Sequence, residues 1–365
     1  MSEDYKFYLP ILKSKAGELK ALLKLNAFAR TRVLPLLEIT PMEWDHTFKT
    51  KPREMPEHLG KFCKKVLDSW GLSAALIDTS LIEDKVVGQL SCMEYIFDTF
   101  HSRSLYPIKA MPTFAVSTPE NTLLGIKNIS TKYPISRAGL RVNLDALTNP
   151  SFKTSLDIVL QKTGFTPGNI HLVLDLKASN LSQTEDYSDA ILAALEDFPY
   201  LQEWCTLTIC GSAFPSSKLI HKDENIIPRY DWSLFEAINR KIQSEQFSRK
   251  LNYGDYGIVN PEYFEFDPTK MSSSANIKYT LDKDWLVIKG NSIKKSGNAQ
   301  YFTQAKEIAN SSHFLGKTFS EGDLYIYNCA CGLENAGNPN TWNWVANNHH
   351  FTKVVTDLFA TPRVS

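Results

Sequence analysis

Apolar residues along this chain gather in short runs that alternate with segments of helical periodicity, and the alternation recurs eight times before residue 261. Short runs rich in β-branched and aromatic residues predict strands, and stripes of period 3.6 predict helices packed over them. The predicted strands are Phe7–Lys13, Val33–Ile39, Ala74–Thr79, Ile108–Val116, Gly139–Asp145, Ile170–Lys177, Thr206–Cys210 and Tyr253–Val259. Helices are predicted from about Ala16, then over Glu57–Trp70, Cys92–Phe100, Pro119–Ile129, Phe152–Lys162, Asp186–Trp204 and Trp232–Ser244. Thr118 caps a helix that starts with proline, and Gly164 stops another.

Parallel strands are buried on both faces and read as near-continuous apolar runs, as Leu34 to Leu37 and Leu172 to Leu174 do. An open doubly wound sheet produces the same alternation. Eight units favour closure, and no G-x-G-x-x-G follows the first strand, so the expected fold is a (β/α)8 TIM-type barrel over residues 1–261. Residues 262–365 leave the rhythm and form an α+β extension. Its expected elements are strands Ala275–Thr280, Asp284–Lys289 and Leu324–Tyr327, and helices Ala299–Ser311 and Trp342–Phe359. No Ser-Gly linker separates the two parts, so the extension is expected to pack on the barrel as one compact unit.

The chain has 365 residues, 43% hydrophobic and 22% charged, enough for a sizeable core. Lysine plus arginine equals aspartate plus glutamate at 40 each, so no net field draws the chain to bulk nucleic acid or acidic membrane. Met1-Ser-Glu-Asp-Tyr-Lys6 lacks a leader pattern and no long apolar run follows, which predicts a cytoplasmic protein. Six scattered cysteines are too few for a disulfide framework. Cys329 and Cys331 with His349 and His350 would supply zinc ligands, but C-x-C is not the usual knuckle, and reduced thiols are expected. No G-x-S-x-G, H-E-x-x-H, P-loop or kinase signature occurs.

In such a barrel the working residues lie at the carboxyl ends of the strands, and polar residues gather there. Lys13, Glu38, Asp78, Asn143, Asp145, Asp175, Lys177, Ser212 and Asp255 fall at or near predicted strand ends. Residues two apart share a strand face, which pairs Asp175 with Lys177 and Asn143 with Asp145. Glu38, Asp78, Asp145, Asp175, Lys177 and Asp255 are the catalytic candidates, with Mg2+ as the hard cation such carboxylates would take. The alternative is a ring of ion pairs closing the barrel. Arg229, in Pro228-Arg-Tyr-Asp-Trp232, follows the seventh strand and would grip a phosphate, or else pair locally with Asp231 as a helix cap.

These segments resemble the protein beta family of phages and bacterial genomes. The likeness rests on Tyr8-Leu-Pro-Ile-Leu-Lys13, Leu36-Leu-Glu-Ile-Thr-Pro41, Ile77-Asp-Thr79, Val173-Leu-Asp-Leu176, Pro228-Arg-Tyr-Asp-Trp232, Tyr253-Gly-Asp-Tyr256, Thr341-Trp-Asn-Trp344 and Asn348-His-His350. It adds Tyr256, His349 and His350 to Lys13, Asn143, Ser212 and Arg229 as ligand-binding candidates. Where the family often carries arginine after the first tryptophan of its last motif, this chain has Asn343. The resemblance implies a role in phage defence or counter-defence and no particular reaction.

Two functions remain in view. One is an enzyme acting on a nucleotide or other phosphate-bearing molecule through the rim; the other is a non-catalytic module that binds a protein partner. An ion or phosphate held by Glu38, Asp78, Asp175 and Asp255 favours the first. A dry, salt-bridged mouth with an exposed apolar patch near the C-terminal segment favours the second.

Overall fold

The computed structural model describes residues 6–42, 54–178, 184–244, 249–262 and 272–359. The N-terminal stretch read for a leader therefore lies almost wholly outside the described residues. Eight parallel strands close a barrel: Tyr8–Leu12, Leu36–Glu38, Ala75–Asp78, Ala110–Phe114, Ala138–Asn143, Ile170–Asp175, Thr206–Gly211 and Asn252–Asp255. Each pairs with its neighbours in chain order, and the first with the eighth through Tyr8–Tyr253, Leu9–Gly254 and Pro10–Asp255. All eight runs expected from the sequence are barrel strands.

Inward side chains include Leu9, Ile11, Leu36, Leu76, Met111, Val173 and Cys210, which form an apolar plug inside the barrel. The plug leaves so little room at the first and eighth strands that only glycine fits at position 254. A Cβ there would come within 2.7 Å of the Leu9 carbonyl oxygen. Below the plug, His171 is buried edge-on to Phe7 at 5.8 Å, with Nδ1 2.9 Å from Thr206 Oγ1. Burial, with Arg137 nearby, holds its pKa down to about 4 from the ordinary 6.5. The folded pKa is the lower one, so as pH falls the unfolded chain takes up a proton that the barrel refuses, and stability is lost. Urea unfolding should show His171→Gln losing about 2 to 3 kcal/mol less stability than wild type between about pH 7 and about pH 4.5. Equal losses in both proteins would refute this.

Several expected boundaries shift, each for a local reason. The fifth strand stops at Asn143, and Asp145 sits exposed in a short helix, Leu144–Leu147. The sixth stops at Asp175; Lys177 has φ +52 and is exposed. The helix expected over 186–204 covers Thr184–Glu196. Leu324–Tyr327, expected as a strand, lies inside the helix Glu321–Ala330. Ser320 Oγ caps that helix by accepting from the Asp323 N–H, and Gly322, Ile326, Cys329 and Ala330 form its buried stripe. The stripe has helical spacing, which overrides the strand preference of Leu-Tyr-Ile-Tyr.

A strand absent from the expectation, Asp223–Pro228, leaves the seventh barrel unit and pairs antiparallel with Asp284–Ser292, which also pairs with Ser274–Thr280. The C-terminal helix Pro339–Phe359 then lies against the first strand and first helix. Asn348 Nδ2 donates to the Ala21 carbonyl at 3.1 Å, Lys6 Nζ to that of Leu358 at 2.6 Å, and Phe351 packs on Tyr8. It covers the outer wall where the first and eighth strands meet, the place of the last helix in a (β/α)8 barrel.

Candidate functional site

Above the apolar plug, the barrel mouth is organised around one residue. Arg141 sits inside the fifth strand, two positions before its end, so it points inward. Its Nη1 donates to Glu38 Oε1 at 2.7 Å and Asp78 Oδ2 at 2.8 Å, and its Nε to Asp175 Oδ2 at 2.9 Å. Nη2 donates to the Tyr256 hydroxyl at 2.8 Å and lies 2.8 Å from Asp175 Oδ2. The five N–H groups of the guanidinium are thereby all met.

The carboxylates are equally engaged. Glu38 Oε2 accepts from Lys13 Nζ at 2.7 Å, Asp78 Oδ1 from the Ser80 N–H at 2.7 Å, and Asp175 Oδ1 from the Lys177 N–H at 2.9 Å. The Tyr256 hydroxyl donates to Asp175. Side-chain exposures are 3% for Glu38, 4% for Asp78 and 1% for Asp175, against 11% for Lys13 and 13% for Arg141. Arg141 is held well above its ordinary pKa because the attraction of Tyr256, Asp175, Asp78 and Glu38 outweighs burial. Burial lifts the Tyr256 hydroxyl well above its own. No oxygen of Glu38, Asp78 or Asp175 is without a donor.

A metal ion does not fit here. The point where the three carboxylates converge is filled by the guanidinium, and among the described residues no group of three or more His, Cys, Asp or Glu side chains is placed to hold a cation. Cys329 is buried in the helix Glu321–Ala330, Cys331 is its exposed C-cap, and both histidines have other partners.

Asp255 ends the eighth strand but points outward, away from the mouth. Its Oδ1 accepts from the Tyr8 hydroxyl at 2.5 Å and from the Gly257 N–H at 2.8 Å, and its Oδ2 lies 2.9 Å from His350 Nε2. His350 Nδ1 is 2.8 Å from Thr280 Oγ1. His349 contacts Asp323 Oδ2 and the Thr280 carbonyl, each at 2.9 Å. Both rings are fully buried. Burial lowers the pKa of His350, and His350 with the Tyr8 and Gly257 donors lowers that of Asp255 against its burial. These pairs fasten the C-terminal helix to the barrel wall and to the helix that begins at Glu321.

The residues chosen from strand ends therefore divide. Glu38, Asp78, Asp175, Lys13 and Tyr256 meet in the mouth; Asp255, His349 and His350 meet on the outside of the wall. Asn143 pairs in register with Asp175, whereas Asp145 and Lys177 are exposed beyond their strands, so neither expected same-face pair forms. Asp175 is paired with Arg141 instead of Lys177. Ser212 donates to the Val259 carbonyl and accepts from the Phe214 N–H, a loop-bracing role. Arg229 is fully buried between Trp232 and Trp285 and donates to the Leu281 and Asp282 carbonyls, so it is not at the surface to grip a phosphate. Arg141 lies outside the strand-end pattern that points to the other mouth residues; its signal in the sequence is a lone charge inside an apolar strand.

A groove of about 770 Å³ opens elsewhere, between the end of the first helix and the helix Glu321–Ala330. Leu23, Leu324 and Leu333 line it at 50%, 36% and 74% exposure. Lys24 and Glu321 pair along it at 3.8 Å. A smaller cleft that shares Lys24, Glu321, Leu324 and Asn328 continues it toward Trp344.

Among the described residues no helix is long and apolar enough to cross a membrane. No curated protein matches the chain. The family model of Beta protein covers residues 8–356, the whole barrel and most of the helix that closes it, and the chain belongs to the Beta protein family.

Proposed function

We propose that this protein is a non-catalytic interaction module that binds a protein segment in the groove beside the helix Glu321–Ala330. The observation that carries the reading is the saturation of the mouth. Every oxygen of its three carboxylates already accepts at least one bond and every N–H of Arg141 is engaged, so the charges of the mouth are directed at one another and not at a ligand. The groove, by contrast, exposes leucines flanked by charges of both signs, the composition of a surface that takes apolar anchors within a polar rim. A phage or host protein is the kind of partner that a role in phage defence or counter-defence would require.

The test pairs two screens. Peptides selected from a random displayed library should bind wild type and Lys13→Ala alike and lose binding to Leu324→Asp, whose melting temperature should be near that of wild type because the site is partly exposed. A panel of nucleotides and phosphorylated metabolites should give no stabilisation that depends on Lys13. One compound that stabilises wild type by ~2.7 kcal/mol at 100 times its dissociation constant, and fails on Lys13→Ala, would return the function to the mouth.

A further inference from the structure

The segment Pro228-Arg-Tyr-Asp-Trp232 places two opposite charges two residues apart at the junction of the barrel, the antiparallel sheet and the C-terminal helix. Arg229 is fully buried and Asp231 is 4% exposed. They form no direct ion pair. Arg229 spends Nη1 on the Leu281 and Asp282 carbonyls, while its Nε and Nη2 have no partner among the described residues. Asp231 accepts from the Tyr253 hydroxyl at Oδ2, 2.7 Å away, while its Oδ1 has none. Trp285, whose ring Arg229 faces at 5.9 Å, carries another buried and unpartnered N–H.

Buried polar atoms without partners are rare, and each costs about 1 to 3 kcal/mol when truly unmet. Here the unpartnered atoms fall on residues in one neighbourhood and are complementary: cationic donors on one side, an anionic acceptor on the other. We propose that at least one buried water occupies this junction, accepting from Arg229 Nε or Nη2 and donating to Asp231 Oδ1. A water suits the site because it is both donor and acceptor and makes two to four bonds in such positions. An anion would satisfy the arginine and repel both Asp231 and the nearby Asp255. A metal cation would satisfy the aspartate and repel Arg229. Burial pushes the Asp231 carboxyl up to about 6 even with Arg229 close by.

A high-resolution crystal structure of the full chain tests this, with a second crystal exchanged into bromide. The expected result is a water peak within hydrogen-bond distance of both Arg229 and Asp231, with no anomalous bromide signal. In solution, the Arg229 Hε resonance should show a cross-peak to a long-lived water. A direct Arg229–Asp231 contact with no peak between them would overturn the proposal. Bromide density at Arg229 would overturn it in favour of an anion site. Asp231→Asn, which keeps Oδ1, should retain the water; Asp231→Leu should lose it, and a water unchanged in the leucine variant would show that Asp231 does not hold it.

Discussion

Arg141→Ala is expected to lower the stability of the protein by about 3 to 5 kcal/mol at neutral pH, the cost of leaving buried charges without their partner. Glu38, Asp78 and Asp175 would keep only Lys13, Tyr256 and two backbone N–H groups among them. Three carboxylates this close and this buried would then repel one another when ionised. Acid relieves such repulsion and higher pH restores it. The deficit of Arg141→Ala should therefore shrink toward about pH 4.5 and widen toward about pH 7. Urea unfolding of wild type and variant at the two pH values measures it. Arg141→Lys should recover only part of the loss, because a point charge cannot meet three carboxylates as a planar fork does. A variant with wild-type stability at both pH values would mean that the mouth is hydrated and open, and would revive its reading as a reaction site.

The second large effect is expected on the outer wall. Asp255→Leu removes the acceptor of the Tyr8 hydroxyl, the Gly257 N–H and His350, leaving three buried polar groups unmet. At about 1 to 3 kcal/mol each with partial relaxation, the loss should total about 3 to 5 kcal/mol. His350→Ala should cost less, because Asp255 keeps Tyr8 and Gly257. The loss should also be local: hydrogen exchange in Pro339–Phe359 should speed up more than in the sixth strand, since this helix is the element that Asp255 fastens. Uniform acceleration over the barrel, or none in the helix, would show that Asp255 is not what holds the helix in place.

The sequence by itself determined the eight barrel strands and the seven helices between them. Barrel strands buried on both faces must be apolar almost throughout, and the helices over them need a stripe of period 3.6, so both leave local signatures. It also placed Glu38, Asp78 and Asp175 at or near strand ends, because the long apolar runs that precede them give out there. Only the tertiary structure decided what those ends do. Whether a strand-end side chain faces the mouth or the wall depends on the tilt and register of closure: Asp255 and Asp175 look alike in sequence yet lie on opposite faces. Arg141 finds Glu38 and Tyr256 at separations of 103 and 115 residues, and His350 finds Asp255 at 95. No local pattern encodes such pairs, since a side chain's partner is fixed by where the chain returns in space. The same cause hid the role of the last helix, whose stripe was readable as apolar, while the seam between the first and eighth strands that it covers exists only once the barrel has closed.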